Sequence, residues 1–479
     1  MVQSATLPTY DRSRLSPGIV HIGLGNFHRA HMAVYLDDLF AQGQDLDWAI
    51  IGAGVRQPDA KMRDALMMQD WLSTVIELDP KEKTARRIGS MIDFLPVEPA
   101  NGSLILALSK PEIRIVSLTV TEGGYFVNPA TAEFDPTAPE ILADGRDPAH
   151  PATAFGAIVA ALKQRKAARL KPFTVMSCDN LPGNGHVAKA AVVGLARLSD
   201  PALADWIAAN VAFPNGMVDR ITPATGPREQ AMADQFGLGD DPVPVTCEPF
   251  RQWVLEDNFP AGRPALEKVG VFFTRHVHAY EAMKIRILNG GHAVIAYPGG
   301  CQGIVFVHEA MADLTIRAFL DKVETFEILP IVPPVPGQDL SDYKALILDR
   351  FSNPEVADTE RRLCFDGSNR QPKFIIPSIR DNLARDVMPK GLILSSAMWC
   401  RYCFGTDETG AEIAPNDPNW EQLTAAAQRA RSDPVQWLQQ REIYGDLADD
   451  PRLVAAFSDA LNAVWADGTA KAMRSYLSS

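Results

Sequence analysis

Seven residues near the start of the chain, Ile19-Val20-His21-Ile22-Gly23-Leu24-Gly25, restrict its fold more than any others. A β-branched apolar run ends on glycines, and residues 32–40 carry apolar side chains at helical spacing, so a short strand runs into a tight turn and then a helix. This is how a dinucleotide-binding βαβ unit opens. The fingerprint Gly23-Leu24-Gly25-Asn26-Phe27-His28 lacks its third glycine, and His28 stands where Gly or Ala ordinarily permits close helix-to-strand packing. Gly23 and Gly25 still allow the turn and a close approach of the backbone at Gly23, Gly25, Asn26 and Phe27 to a pyrophosphate, with the following helix N-terminus favouring negative charge.

A second strand at residues 48–51 ends at Gly52-Ala53-Gly54, and further apolar runs at 104–108, 113–120 and 173–177 alternate with helical or looped stretches. Strands alternating with helices imply a mostly parallel sheet. Residues 128–151, rich in Pro, Asp and Ala, read as a surface excursion before a helix beginning near Thr153. From Tyr280 onward helical spacing dominates, with candidates at 281–297, 308–323, 340–351, 420–430 and 452–466, and the proline-rich 330–336 reads as a connection between helices. The expected fold is therefore α/β: a Rossmann-type dinucleotide-binding domain over residues 1–279 and a mainly α-helical domain over 280–479.

Composition narrows the partners. A formal charge of −13 gives no electrostatic footprint for nucleic acid or anionic membrane. Residues 1–16 lack the basic segment and apolar core of a secretory signal, and no apolar run reaches the roughly 18 residues that span a bilayer, so a cytoplasmic protein is expected. The six cysteines are too few and scattered for a disulfide scaffold. His28-Arg29-Ala30-His31 and Cys400-Arg401-Tyr402-Cys403 each have the spacing of half a metal or redox site and lack the other half, so no metal is expected. No Gly-x-Ser-x-Gly elbow surrounds Ser177.

Three further segments carry candidate chemistry. After the second strand, Arg56-Gln57-Pro58-Asp59 offers Asp59 to the ribose hydroxyls of NAD, while Arg56 suits the 2′-phosphate of NADP; alternatively Asp59 caps a helix starting at Ala60. Ser177-Cys178-Asp179-Asn180 lies at the C-terminal end of a strand, where ligands bind in open parallel sheets, which makes Asn180 a candidate amide donor and leaves Asp179 and Asn184 to order the turn or act. On a helix over 281–297, at about 100° per residue from Lys284, Glu281 falls near 60°, His292 near 80° and Asn289 near 140°. A base, an amide and an imidazole then share one face, although Ile285 and Leu288 interrupt it and Gly290-Gly291 weaken the helix by about 1 kcal/mol each. A merely solvated polar face is the competing reading.

Together Gly23-Leu24-Gly25-Asn26-Phe27-His28-Arg29-Ala30-His31, Ser177-Cys178-Asp179-Asn180-Leu181-Pro182, Phe213-Pro214-Asn215-Gly216-Met217-Val218-Asp219-Arg220-Ile221-Thr222-Pro223 and the helix with Lys284, Asn289 and His292 resemble the long-chain mannitol dehydrogenase family over nearly the whole chain. The resemblance implies oxidation of a polyol secondary alcohol to a ketose with a nicotinamide cofactor, NAD before NADP, and no catalytic metal. It implies Lys284 as the general base and Asn180 and Asn289 as amide donors to the developing alkoxide. His292 would orient a substrate hydroxyl, Asp219 support the site, Arg362 and Lys373 approach the substrate, and Glu281 and Glu122 serve proton exit and nearby polar contacts. The segment 366–381 is similar to the branch acting on D-mannitol, giving D-fructose; D-arabinitol, D-sorbitol and hexuronates such as fructuronate are the alternatives. A nucleotide-binding scaffold without turnover is the remote one. A monomer is expected, with a dimer as the alternative.

Overall fold

The computed structural model describes residues 5–128 and 133–479, so residues 1–4 of the N-terminal stretch and 129–132 of the expected surface excursion lie outside the described residues. The chain forms two compact units, residues 1–278 and 279–479.

In chain order the first unit comprises β1 Pro17–Ile22, α1 Asn26–Ala30, α2 Met32–Ala41, β2 Ala49–Ala53, α3 Gln57–Met67, β3 Ser73–Glu77, β4 Thr84–Ile88, β5 Met91–Phe94, α4 Gly102–Leu108 and β6 Ile115–Leu118. It continues with α5 Pro139–Arg146, α6 Ala154–Ala167, β7 Thr174–Ser177, α7 Asn184–Ser199, α8 Pro201–Asn210, β8 Gly216–Asp219, α9 Pro227–Gln235, β9 Val245–Cys247, β10 Gln252–Leu255 and β11 Phe272–Phe273. The main sheet has the order β5-β2-β1-β6-β7 and is parallel throughout. Both faces are covered, as the period of two along the strands requires. Val20, Ile22, Val116 and Val175 pack with α6 and α7, whereas Ile19, Ile50, Ile115 and Met176 pack with α2. Two three-stranded sheets, β11-β10-β8 and β4-β3-β9, flank this layer.

Three expectations are corrected here. The run at 104–108 is helical, not a strand: Leu104, Ile105 and Leu108 are buried while Leu106 is exposed, which is helical spacing. The helix expected over 32–40 forms as α2, but the glycine turn leads first into the separate five-residue α1, which ends at His31, so the dipole at the turn is that of a single short turn. α3 begins at Gln57 rather than Ala60, with Pro58 in its first turn, where a missing N–H costs nothing. The helix near Thr153 does form, and the Thr153 hydroxyl accepts from the Gly156 N–H.

The second unit is mainly helical, and the division falls inside α10 Val277–Met283. A π-helical segment, Lys284–Asn289, continues α10 directly into α11 Gly290–Cys301. Then follow α12 Val307–Ala312, α13 Leu314–Val323, a second π segment Glu324–Ile328, α14 Leu340–Phe351, α15 Glu360–Cys364, α16 Gly367–Phe374, α17 Ile376–Ala384, α18 Lys390–Cys403 and α19 Trp420–Ala430. The expected 308–323 helix is two helices, because the Asp313 carboxylate accepts from the Thr315 and Ile316 N–H groups and starts a new one. Helices α11 and α18 are buried almost all round and form the centre of this unit. Of the pair Gly290-Gly291, the second is used for close approach: a Cβ on Gly291 would lie 2.6 Å from Glu324 Oε1. No helix among the described residues is long and apolar enough to cross a membrane.

Candidate active site

The candidate residues of the first unit lie mostly at the C-terminal ends of its parallel strands. The chain passes from β1 outward to β2 and β5, then returns to the other side of β1 through β6 and β7, so the strand order reverses between β1 and β6. Ligands bind at such a reversal in open α/β sheets. Gly23 follows β1 there with φ +92°, and a Cβ on it would meet the Thr119 carbonyl oxygen at 2.2 Å, so both conformation and space demand glycine. Gly25 differs: a Cβ on it would have no protein atom within 4 Å. The packing of the protein itself therefore sets no requirement for glycine at that position. The Asn26 side chain donates to Thr225 Oγ1 at 2.9 Å and accepts from Arg29 at 2.7 Å, which ties the start of α1 to the loop after β8. Phe27 stacks on His31.

After β2, Asp59 sits in the first turn of α3 and its Oδ2 accepts from the Val55 and Arg56 N–H groups, both at 2.9 Å. One carboxylate oxygen therefore orders the turn, and Arg56 beside it is exposed. After β6, Glu122 is exposed in a short 3-10 turn that follows Thr121 at φ +65°. Asp179 holds that loop to the end of β7: its carboxylate accepts from the Val120 and Thr121 N–H groups at 2.9 and 3.0 Å and from the Tyr125 hydroxyl at 2.7 Å. Burial raises the Asp179 carboxyl above the ordinary carboxylate range, opposed by those hydrogen bonds. Asn180, the next residue, is exposed.

Asn184 locks the turn that carries Asn180. Its amide donates to the Ser177, Asp179 and Gly216 carbonyls at 3.2, 3.1 and 2.8 Å and accepts from the Gly216 N–H at 2.9 Å. Asn215 accepts from the Gly185 N–H at 3.0 Å and so joins β8 to the start of α7. Asp179 and Asn184 thus order the turn. Asp219 ends β8, buried, and Arg220 beside it donates to the Ala30 carbonyl and to Glu77, both at 2.6 Å. The 213–223 motif is largely this bracing.

In the second unit Lys284 and Asn289 stand at the two ends of the π segment, Glu281 is one helical turn before it and His292 one turn after. Lys284 is buried. Among the described residues, Asn289 Oδ1 and His292 Nε2 are buried with no hydrogen-bond partner, so each retains capacity for a ligand hydroxyl. The His292 ring stacks on Phe351 at 4.0 Å. Burial holds the imidazole well below its usual range, and the positive charges of Arg362, Arg350, Arg370 and Lys284 add to that. A neutral ring is fixed. Arg362, half exposed on α15, forks onto Asp358, and Arg370 donates to the Arg362 and Leu363 carbonyls at 3.1 and 3.2 Å. Lys373 is exposed near the end of α16, whose Phe374 carbonyl lies against Gly290.

Sequence reasoning missed Arg350, Arg370 and Phe351 around His292, since two helices distant in sequence, α14 and α16, deliver them. It also missed Asn215, although that residue sits inside a quoted motif. The paired residues without second halves have other uses. His31 Nε2 bonds the Gln252 carbonyl at 2.9 Å, His28 stacks on His21, and Cys400 and Cys403 are buried in α18. Burial pushes His31 down to about 3 and both thiols well up. Among the described residues no group of three or more His, Cys, Asp or Glu side chains is placed to hold a metal ion.

Two family models match the chain, the mannitol dehydrogenase Rossmann domain over residues 17–268 and the mannitol dehydrogenase C-terminal domain over residues 276–465. A mannitol 2-dehydrogenase of Cereibacter sphaeroides is 67% identical over 477 residues, covering 100% of each chain, and one of Phaeosphaeria nodorum is 42% identical over 99% of this chain and 84% of its own. Among solved structures, Pseudomonas fluorescens mannitol 2-dehydrogenase in ternary complex with NAD and D-mannitol matches with a TM-score of 0.88 and 44% identity, covering 99% of this chain and 97% of that one. A substrate-free D-sorbitol dehydrogenase matches with a TM-score of 0.89 and 35% identity over 98% and 97%.

Proposed function

The chain belongs to the mannitol dehydrogenase family, and from that premise we propose that it oxidises D-mannitol to D-fructose with NAD, without a catalytic metal, and runs the reverse reduction with NADH. In this reading residues 1–279 hold the dinucleotide and residues 280–479 the polyol. The observation that carries it is the second unit's helix: a buried lysine, an amide oxygen without a protein partner and a neutral imidazole within nine residues. A solvated polar face would have no reason to bury them.

The first unit's residues suit a dinucleotide. The open space at Gly25, the left-handed Gly23 and the strand reversal between β1 and β6 leave room for phosphates, and Gly23, Gly25, Asn26 and Phe27 would line it. Asp59 favours NAD through its second carboxylate oxygen, against Arg56. When bound, NAD supplies the hydride acceptor. The residues do the remaining work. Lys284, buried in the helix, takes the hydroxyl proton as the general base. The Asn180 and Asn289 amides donate to the oxygen as negative charge develops there, replacing the electrostatic stabilisation that a metal would give. His292 orients a neighbouring hydroxyl, Arg362 and Lys373 contact the polyol, and Asp219 supports the site. Glu281 and Glu122 conduct the proton outward.

The cations around His292 favour one second reading, a hexuronate whose carboxylate they would pair. Initial rates with D-mannitol, D-sorbitol, D-arabinitol and fructuronate, each with both cofactors, decide between them. Highest efficiency with D-mannitol and NAD is expected. Higher efficiency with fructuronate would transfer the assignment, and a preference for NADP would overturn the role of Asp59. A monomer in the cytoplasm completes the proposal, supported by six free, buried cysteines, and light scattering of the purified protein tests the monomer.

A further inference from the structure

We propose that His21 and Thr119 are positioning residues for the cofactor, acting through the Gly23 carbonyl, and this rests on the dinucleotide reading above. His21 is the polar residue in the otherwise apolar β1 strand and is fully buried. Its Nδ1 lies 2.8 Å from Ser117 Oγ and its Nε2 lies 2.9 Å from Thr119 Oγ1, so two hydroxyls of the neighbouring strand region grip the ring from both sides. The Thr119 hydroxyl in turn donates to the Gly23 carbonyl at 2.6 Å.

The direction of this chain of bonds follows from donor and acceptor chemistry. A carbonyl only accepts, so the single Thr119 hydrogen is committed to Gly23, and Thr119 Oγ1 must accept from His21. The His21 proton is therefore on Nε2. In a neutral ring Nδ1 is then the acceptor, and Ser117 donates to it. Burial, which pushes His21 down to about 3, keeps the ring neutral and this order intact.

The same Gly23 carbonyl also accepts from the Gly25 N–H at 2.9 Å. Both glycines of the turn therefore depend on where this one oxygen points. Because the peptide is planar and trans, fixing the Gly23 carbonyl toward Thr119 also fixes the Leu24 N–H in the opposite direction. His28 completes the device. It occupies the position of the missing third glycine, and its ring stacks on His21 at 3.5 Å between centroids with an 18° tilt. In this chain an imidazole stands where the third glycine would be, and it stacks on the imidazole that carries the relay.

The test uses Thr119→Val, which keeps the shape and removes the hydroxyl, Thr119→Ser, which keeps the hydroxyl, and His21→Phe, which keeps a ring and removes both bonds. NADH affinity is read by fluorescence titration, independently of turnover, alongside the KM values for NAD and D-mannitol and the melting temperature. Loss of one buried hydrogen bond of about 1.4 kcal/mol corresponds to about a tenfold change. Thr119→Val should therefore raise the NADH Kd and the KM for NAD about tenfold, and Thr119→Ser should stay within about twofold of the parent. The KM for D-mannitol should move far less than that for NAD. The double variant His21→Phe with Thr119→Val should lose little beyond the single variants, because both cut one chain of bonds. Parental NADH affinity in folded Thr119→Val, or fully additive losses, would overturn the relay. If His21→Phe fails to fold, the contrast between Val and Ser at 119 still decides. A parent protein that binds no NADH would instead overturn the dinucleotide reading itself.

Discussion

Acid should unfold the first unit through its buried imidazoles, and His31→Gln isolates one of them. His31 is folded with its pKa pushed down to about 3 by burial, against 6.5 for an ordinary imidazole. The sign follows directly. The unfolded chain takes up a proton as the pH falls through 6.5, the folded protein does not until about 3, so stability present above 6.5 is lost progressively across that window. At about pH 5 the loss covers roughly one and a half pH units at about 1.4 kcal/mol each, or about 2 kcal/mol. Glutamine can still donate to the Gln252 carbonyl that His31 Nε2 now bonds at 2.9 Å, but it does not titrate. It also loses the ring contacts with Phe27 and Trp253, so the variant should be less stable at about pH 8 by roughly 1–2 kcal/mol. Urea unfolding of both proteins between about pH 8 and pH 5, followed by tryptophan fluorescence, measures the difference at each pH. The gap should close by about 2 kcal/mol toward pH 5. A gap constant to within roughly 0.5 kcal/mol would show that His31 titrates normally in the fold and that its burial has been misread.

Lys284→Ala should lower polyol oxidation by about 10² to 10⁴-fold and leave NADH affinity within about twofold, and near-normal turnover with an unchanged pH profile would reduce the helix to a structural face. Asn184→Ala strips the Gly216 N–H and three carbonyls of a buried partner and should cost about 3 kcal/mol or more; a melting temperature equal to the parent's would contradict that. Exhaustive chelation should leave turnover intact, whereas a stoichiometric zinc whose removal abolishes it would replace the amide-based mechanism.

How far the sequence reaches depends on whether a feature is local. The strand, glycine turn and parallel sheet were legible because strands buried on both faces, as β1, β6 and β7 are, read as short, nearly continuous apolar runs, and because the left-handed Gly23 needs its own residue type. The 104–108 run failed because five apolar residues in a row suit a buried strand or a helix equally, and only the exposure of Leu106 distinguishes them. The early start of α3 had a local signal, Pro58 followed by Asp59 at a capping position, that pointed to Gln57. The cations around His292 had none. They come from α14, α15 and α16, and a chain read in one dimension does not place them beside α11.

The π segment shows the same limit in a single helix. At about 100° per residue, Lys284 and Asn289 stand about 140° apart, at opposite ends of the polar arc. In the Lys284–Asn289 segment the hydrogen bonds close from i to i+5 rather than i+4, so residues five apart take the neighbouring relation that four-residue spacing gives in an α-helix. Lys284 and Asn289 are therefore brought toward one line. A π segment is one residue inserted into an α-helix, and removing it would turn everything after it, His292 included, by about 100° relative to Lys284. Sequence spacing selected these three residues through an angle that the backbone does not keep. The widened turn, followed by Gly290 and by Gly291 packed against Glu324, is what draws the lysine and the amide positions together along the helix.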